Sequence, residues 1–413
     1  MPQVGPRHAS AAPGAAQGLG SVERSERGTA ALVWPPADPD RPRQMDLTNL
    51  VQTYHSDADG RIAARPVGKA RVMDFVHFLS SHMLDPATGG KRLYADTVAQ
   101  AIHAEACGYR GVGIPEHHLV NILLVPSPLQ MAVKIAAHTS RIRLVTSICQ
   151  LPLRDMRVFA GEVVQAQALC DGRLMLGVGK GAFGYETARI DVPMEETRDR
   201  FEEALAVLEA LLTREEVSWS GTHYRFDPLT IMPRPEDPIP LMLGVMAPPA
   251  IEAAARRGYH VQTTPLSATH GVLESQVAAF FRGRDQNPAS QSRLSLQRGV
   301  FLVTSEAQRR RMVDTAHRYY QSFDNVFGGP GIVDSGIIRP LPRSQTAEEL
   351  GQNILICQKD EMIDRLAAYA EMGIDEVITT SVFGQPQQET LDMMSLFSQE
   401  VMPHLLPLRR KAA

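Results

Sequence analysis

The sequence has no apolar run that could cross a membrane as a helix, since none approaches about 18 consecutive apolar residues. Its most apolar stretch, residues 239–255, is interrupted by Pro248 and Pro249 and is typical of a strand, a turn and a helix. There is no excess of one charge either, because the formal net charge is −4 and the isoelectric point is about 6.4. We therefore expect no membrane span and no surface adapted to nucleic acid or anionic lipid.

Cysteine is scarce as well, with four residues in 413. No two of them have the spacing of a metal site or of a redox motif. Few and scattered cysteines in a chain of this size are typical of free thiols in a reducing cytoplasm. We therefore expect a cytoplasmic protein without a metal centre. The four residues are Cys107, Cys149, Cys170 and Cys357.

The N-terminal residues 1–70 lack the periodic apolar pattern of a folded domain and are rich in alanine, glycine, proline and serine. Such a segment buries too little apolar surface to offset the entropy that folding would remove. We therefore expect a disordered extension over residues 1–70 and one folded domain over residues 71–408.

From residue 72 onwards, short strand-like apolar runs alternate with apolar residues at helical spacing. The runs predict strands at 72–79, 109–114, 142–149, 174–178, 240–245, 260–264, 296–303 and 375–382. The helical spacing predicts helices at 94–107, 127–138, 156–170, 196–212, 250–257, 272–282, 306–321, 360–372 and 388–402. Eight strands in β-α order favour a closed (β/α)8 TIM barrel, of the α/β class, over an open sheet.

Two insertions interrupt this alternation. Residues 217–227 read as a short hairpin with its turn at Gly221. Residues 322–350 form a long stretch rich in glycine and proline, which predicts a long loop. A loop of that length in a compact domain is usually functional or disordered.

A glycine-rich motif, G-x-G-x-x-G, follows the fourth predicted strand at Gly179, Gly181 and Gly184. In a dinucleotide-binding turn the helix begins inside this motif, whereas here the helical pattern resumes only after Pro193. Two interpretations remain. Either the glycines admit a phosphorylated cofactor and Lys180 supplies charge for its phosphate, or they make a tight turn and Lys180 is solvated.

Several stretches taken together are more specific than the glycine motif. "GYRGVGIPEHH" places Glu116, His117 and His118 at the end of the second strand, and "GRLMLGVGKG" ends the fourth. "ICQKDEMIDRLAAYAEMGIDEVITTSVFG" follows near the C-terminus. In this order and on these elements, they resemble the bacterial luciferase-like flavin monooxygenase family over residues 72–405.

This resemblance implies a barrel that binds reduced FMN at the carboxyl ends of its strands. In the family, the reduced flavin and O2 give a 4a-hydroperoxide that oxidises a small organic substrate, here expected to be an aldehyde or a ketone. The chain has no nicotinamide motif, so a separate NAD(P)H:flavin reductase would supply FMNH2. The insertion at 322–350 would act as a lid that excludes water.

Residue roles follow from the same resemblance. His117 matches the family residue that acts in acid–base chemistry beside the flavin, and imidazole changes protonation near neutral pH. For His118 we expect a structural role, in which it faces away from the flavin or holds Glu116. Lys180 matches a basic residue that meets the FMN phosphate. Arg198 matches a second phosphate arginine, although a solvated helix face is the alternative.

The resemblance also implies further contacts around the flavin. A cis non-proline peptide is expected after Ser147, and Cys149 is either a ring contact or a core thiol. After the fifth strand, Met246 and Ala247 replace acidic and hydroxyl residues, so phosphate binding there would rely on backbone N–H groups at a helix N-terminus. Predicted cofactor-site residues are Ser147, Cys149, Gly179, Lys180, Gly181, Arg198, Met246 and Ala247, and predicted substrate-pocket residues are Phe78, His82, Gln150 and Phe183.

Two other functions remain open on the same barrel. One is an oxidoreductase that uses the deazaflavin F420 for hydride transfer without oxygen. The other is a non-catalytic subunit that supports a luciferase-type partner, although the presence of His117 opposes it. By resemblance we also expect a dimer, with itself or with a paralogue, through helices beside the second and third strands.

Overall fold

The computed structural model describes residues 73–405. The predicted extension at 1–70 lies outside these residues, and the domain limits of 71–408 stay a prediction. The strands are β1 Asp74–Phe78, β2 Gly111–Ile114, β3 Arg143–Thr146, β4 Cys149–Gln150, β5 Leu174–Gly179, β6 Val217–Ser220, β7 Arg225–Leu229, β8 Leu241–Gly244, β9 His260–Thr263, β10 Leu294–Leu302, β11 Val333–Asp334, β12 Ile337–Ile338, β13 Leu355–Cys357 and β14 Glu376–Thr380.

The predicted helices are all present, with boundaries that differ by a few residues, together with two short helices that were not predicted. They are α1 Gly89–Ala106, α2 Pro128–Ala136, α3 Met156–Leu169, α4 Gly184–Arg189, α5 Thr197–Thr213, α6 Pro248–Arg256, α7 His270–Asp285, α8 Glu306–Val326, α9 Ala347–Asn353, α10 Lys359–Glu371 and α11 Gln387–Glu400. Across residues 73–405, none of the helices combines the length and the apolar character that a membrane span requires.

Eight parallel strands close into a TIM barrel, in the order β1, β2, β3, β5, β8, β9, β10 and β14. The ring closes where β1 pairs with β14, with Asp74 opposite Glu376. All six residues of β5 are buried, because a barrel strand is covered by the lumen on one side and by helices on the other. The predicted fold class is therefore confirmed.

The hairpin predicted at 217–227 is present as β6 and β7, where Trp219 pairs with Phe226. Its turn is attached to α5 by a single carboxylate. Glu203 accepts hydrogen bonds from the backbone N–H groups of His223, at 2.8 Å, and Tyr224, at 3.1 Å, and from Trp219 Nε1 at 3.0 Å.

The prediction of one loop over 322–350 is wrong at both ends. Helix α8 continues to Val326, α9 begins at Ala347, and between them β11 and β12 pair as a small antiparallel hairpin. Thr346 caps α9 with a reciprocal pair of hydrogen bonds to Glu349, a signal that is visible in the sequence as T-x-x-E. The strand β13, which pairs with β10, was also not predicted.

The insertion between α8 and α9 contacts loops that follow three different barrel strands. The Ile338 N–H donates to Asn121 Oδ1, at 3.0 Å, in the loop after β2. Phe327 forms a β-bridge with Phe183, after β5. Arg343 Nη2 donates to Ser267 Oγ, at 2.9 Å, after β9. The insertion therefore lies at the carboxyl ends of the barrel strands.

The short helix α4 contradicts the expectation that no helix begins within the glycine motif. Its first residue is Gly184, the third glycine, and it ends at Arg189. A helix of six residues is shorter than two turns, so it gives little periodic signal for a sequence pattern to detect. It carries the carboxylate that contacts His117.

Candidate active site

His117 lies at the carboxyl end of β2, where two residues from α4 and its cap hold the imidazole. Its Nδ1 is 3.1 Å from Glu186 Oε1 and 3.2 Å from Glu186 Oε2. Its ring stacks on Phe183 with the centroids 3.8 Å apart and an interplanar angle of 16°. The predicted acid–base residue is thus paired with a carboxylate 69 residues away in the sequence.

Glu186 is a functional candidate that sequence reasoning missed. Its side chain is fully buried and also accepts hydrogen bonds from the His118 N–H, at 2.6 Å, and from Gln150 Nε2, at 3.3 Å. Among residues 73–405, no lysine or arginine pairs with it. The only signal in the sequence is an acidic residue three positions after Phe183, within "FGYE".

A second carboxylate network surrounds Glu116. His118 Nε2 lies 2.8 Å from Glu116 Oε1, and Arg154 Nη1 donates to the same oxygen at 2.5 Å. The Gln150 N–H donates to Glu116 Oε2 at 3.0 Å. The expectation that His118 holds Glu116 is confirmed, whereas the role of Arg154 was not predicted.

Gln150, predicted to line the substrate pocket, connects the two networks. Its Nε2 donates to the Glu116 carbonyl, at 3.0 Å, as well as to Glu186. Its Oε1 is buried without a protein partner, and a Cβ at Gly181 would lie 2.3 Å from that oxygen. Gly181, with φ of 84°, therefore makes room for the Gln150 carboxamide.

The predicted cis peptide is present between Ser147 and Ile148. The Ile148 side chain lies against two glycines at the ends of neighbouring strands. A Cβ at Gly179 would be 2.8 Å from Ile148 Cδ1, and a Cβ at Gly244 would be 2.7 Å from Ile148 Cγ2. Gly179 therefore accommodates a side chain of the protein itself, which the motif alone did not indicate.

Two of the predicted flavin-ring contacts differ in their surroundings. Ser147 Oγ donates to Gln262 Oε1 at 2.9 Å, the first bond of a chain that continues through Gln297 to Thr380. Cys149 is wholly buried in the core, and this burial raises the pKa of its thiol to about 12. The thiol therefore stays protonated at neutral pH, and its contact with a flavin stays a prediction.

Arg198 lies close enough to Lys180 to affect the protonation of the lysine. Partial burial, and then the Arg198 guanidinium, lower the pKa of Lys180 from its ordinary value. In the part of the chain that the structure describes, neither side chain forms an ion pair with a carboxylate. Two neighbouring cations without an acidic partner are suited to an anion such as a phosphate.

The start of α6 is less suited to a phosphate than expected. Pro248 and Pro249 are its first two residues and have no N–H. The Ala250 N–H is used within the turn, donating to the Ala247 carbonyl at 2.9 Å. The expectation of free N–H donors in the first turn of this helix is therefore wrong. A phosphate contact at this position would have to come from Met246 and Ala247, which precede the helix.

Phe78 is the last residue of β1, and His82 lies in the loop that follows it. Both residues were predicted to line the substrate pocket. His82 Nδ1 accepts from the Leu123 N–H at 3.2 Å, so Nε2 carries the proton and donates to the Val382 carbonyl at 3.1 Å. Burial lowers the pKa of His82 to about 4, which leaves the ring neutral at pH 7. Phe78 is buried.

Aromatic rings from α8 and the insertion join the His117 stack. Phe183 meets Phe323 edge to face, with the centroids 5.8 Å apart. Phe323 in turn stacks on Tyr319, at 5.8 Å, and on Phe327, at 5.2 Å. Phe183, predicted to line the substrate pocket, therefore lies between the candidate acid–base residue and a largely apolar cluster.

The residues at this face fit a planar polar cofactor that carries a phosphate. Gln150 Oε1, Thr263 Oγ1 and Ser381 Oγ are buried without a hydrogen-bond partner in the described part of the chain, each at or just beyond the carboxyl end of a strand. Buried polar atoms normally have a hydrogen-bond partner, so a bound molecule would complete these three. Lys180 and Arg198 supply the charge that a phosphate needs.

This histidine–carboxylate pair at the carboxyl ends of barrel strands is typical of a TIM-barrel enzyme. The family profile described as luciferase-like monooxygenase matches residues 73–376. The chain therefore belongs to this family, and the predicted resemblance is confirmed.

Individual relatives include enzymes with either type of cofactor. The oxygenase component of the flavin-dependent trigonelline monooxygenase of Acinetobacter baylyi is 25% identical, over 80% of this chain and 95% of its own. The F420-dependent glucose-6-phosphate dehydrogenase of Beutenbergia cavernae is 27% identical, over 77% of this chain and 95% of its own.

The fold is also that of a solved monooxygenase. The structure of RslO1 from Streptomyces bottropensis has a TM-score of 0.68 and 23% identity to this chain. The match covers 80% of this chain and 99% of that one. At this identity the likeness concerns the fold.

Proposed function

We propose that this protein is a monooxygenase that uses reduced FMN and O2 to oxidise a small organic substrate, an aldehyde or a ketone. The observation that carries the proposal is the placement of His117, with its carboxylate partner, at the same face as Lys180 and Arg198, two cations that pair with no carboxylate among residues 73–405. The similarity to an oxygenase component supports it.

In this proposal each group of residues has one task. Lys180 and Arg198 hold the FMN phosphate, while Ser147, Gly179 and Gly181 border the flavin ring. When bound, reduced FMN supplies the electrons that activate O2. The Nε2 atom of His117 moves a proton at the reacting centre.

The surroundings of the site would protect the reaction from water. The insertion between α8 and α9 acts as the lid, because its contacts after β2, β5 and β9 hold it at the face that carries His117. Excluding water prevents wasteful side reactions. The aromatic cluster around Phe323 favours an apolar portion of the substrate beside His117.

The proposed enzyme works with other proteins in the cytoplasm. A separate NAD(P)H:flavin reductase supplies FMNH2, in keeping with a relative that is itself named as one component. A dimer, with itself or with a paralogue, forms through α2 and α3. Exposed Val158 and Leu169 on α3, at 62% and 54%, support an interface there.

An F420-dependent oxidoreductase is the second candidate. It is favoured by the similarity to F420-dependent glucose-6-phosphate dehydrogenases. The absence of free N–H donors in the first turn of α6 also removes one expected FMN phosphate contact. Lys180 and Arg198 would then meet a phosphate of the deazaflavin.

Anaerobic binding measurements separate the two candidates. Reduced FMN and F420 are titrated separately into the purified chain, and the dissociation constant of each is obtained. We expect reduced FMN to bind more tightly than F420, and the Lys180→Ala variant to bind reduced FMN more weakly than the wild type does. Tighter binding of F420 would replace the first proposal with the second.

A further inference from the structure

We propose that Glu186 is a positioning residue for His117. Its carboxylate fixes the imidazole as the tautomer with the proton on Nδ1, and this leaves Nε2 as the basic atom. The inference rests on the proposed function in one respect, which is that His117 acts as the acid–base residue.

A single helical turn supplies both contacts that hold the ring. Phe183 is the N-cap residue of α4, and Glu186 is the third residue of that helix. The Glu186 N–H donates to the Phe183 carbonyl at 3.0 Å, which closes the turn. The His117 ring therefore has a parallel ring against its face and a carboxylate at its Nδ1 edge.

The tautomer follows from the chemistry of the two partners. An ionised carboxylate only accepts hydrogen bonds, and a neutral imidazole has a single N–H. Both carboxylate oxygens lie within 3.2 Å of Nδ1, so the proton belongs on that nitrogen. Within residues 73–405, Nε2 has no hydrogen-bond partner, so its lone pair is free to accept a proton.

The contacts of the buried Glu186 carboxylate involve the segment that carries His117. A buried carboxylate is costly unless donors or cations surround it. No cationic lysine or arginine of the described chain pairs with Glu186, and its donors are His117 Nδ1, the His118 N–H and Gln150 Nε2. All of its described partners belong to the "EHH" segment or contact it.

The direct test is nitrogen NMR of the ligand-free chain labelled with 15N-histidine. The His117 signals are identified by their loss in a His117→Ala sample. Long-range 1H–15N correlations then show which nitrogen carries the proton. We expect one tautomer, protonated on Nδ1, in the wild type. In Glu186→Gln the amide can donate to Nδ1, so we expect a shift towards the Nε2-protonated form.

Turnover supplies the second readout. Glu186→Gln should lower kcat about tenfold or more, since correct protonation governs acid–base catalysis, while the dissociation constant of FMN stays unchanged. The matched control is Glu195→Gln, which replaces an exposed carboxylate before α5 and should change neither readout.

Two results would overturn the inference. One is an unchanged Nδ1 tautomer in Glu186→Gln together with a loss of kcat, which would indicate a structural role. The other is a shifted tautomer with wild-type kcat. If Glu186→Gln does not fold, Glu186→Met, which is of similar size and also lacks the carboxylate, decides by the same pairing of tautomer and kcat. Failure of FMN binding would count against the proposed function alone, because the NMR test needs no cofactor.

Discussion

Ile148 occupies the space that a side chain at Gly179 would need. The closest approach, between a Cβ at Gly179 and Ile148 Cδ1, would be 2.8 Å. On the neighbouring strand, a Cβ at Gly244 would lie 2.7 Å from Ile148 Cγ2. The first glycine of the motif therefore serves packing around the cis peptide, in addition to any contact with a cofactor.

Gly179→Ala should therefore destabilise the barrel. Overpacking of this kind costs about 1–3 kcal/mol, which chemical denaturation measures as a lower free energy of unfolding. Gly271→Ala is the control, since a Cβ there has no neighbour within 4 Å. Adding Ile148→Val removes Cδ1 and should restore part of the loss; no restoration would contradict this packing.

His117→Ala should lower kcat far more than it weakens FMN binding. Loss of a general acid–base group costs about 10²- to 10⁴-fold in rate, and His117 has no contact with the cationic pair. Steady-state kinetics and flavin titration measure the two effects. His138→Ala, at an exposed histidine, should change neither, and equal losses for His117→Ala would refute the acid–base role.

Lys180→Ala should weaken FMN but not riboflavin, which lacks the phosphate. A hydrogen bond to a charged group contributes about 1.5–3 kcal/mol, so we expect the FMN dissociation constant to rise at least about tenfold. Equilibrium titration of both ligands measures this difference. Lys91→Ala, at an exposed lysine on α1, serves as the control. The same loss for FMN and riboflavin would exclude Lys180 from the phosphate site.

Stability should fall as the pH drops from 6.5 to 4. His77 is fully buried, and this burial lowers its pKa from 6.5 to about 4. Between these values the unfolded chain binds a proton that the folded chain does not, so stability rises with pH in this window. At pH 4 this effect of His77 lowers the free energy of unfolding by roughly 3 kcal/mol relative to neutral pH.

His77→Gln should therefore show a flatter dependence of unfolding free energy on pH than the wild type. Denaturation curves between pH 4 and 7 measure this slope. His138→Gln is the exposed control and should keep the wild-type slope. A His77→Gln slope equal to that of the wild type would show that another group controls acid sensitivity.

Asn121→Ala should loosen the insertion and increase the uncoupled oxidation of reduced flavin. It removes the oxygen that accepts the Ile338 N–H, so water would reach the site more readily. Under the proposed function, H2O2 formed per substrate oxidised should rise. The control is Asn287→Ala, in the loop after α7. It removes a hydrogen bond to the Arg256 carbonyl and should leave this ratio unchanged. An unaltered ratio in Asn121→Ala would argue against a lid.

The barrel could be predicted because its strands and main helices carry strong local patterns. The cis peptide and the contact of His118 with Glu116 could be predicted through the family resemblance. The partnership of His117 with Glu186 could not, because the two are 69 residues apart and α4 is too short to give a periodic signal. The space that Ile148 takes beside Gly179 likewise depends on strand register, which composition does not reveal.

The most direct test of the central claim follows the fate of reduced flavin on the protein. The purified chain is loaded anaerobically with FMNH2, mixed with oxygenated buffer and followed by stopped-flow absorbance. We expect a flavin spectrum distinct from those of reduced and oxidised FMN, which persists longer than any such spectrum of free FMNH2. Immediate return to oxidised FMN, at the rate of free flavin, would contradict this expectation.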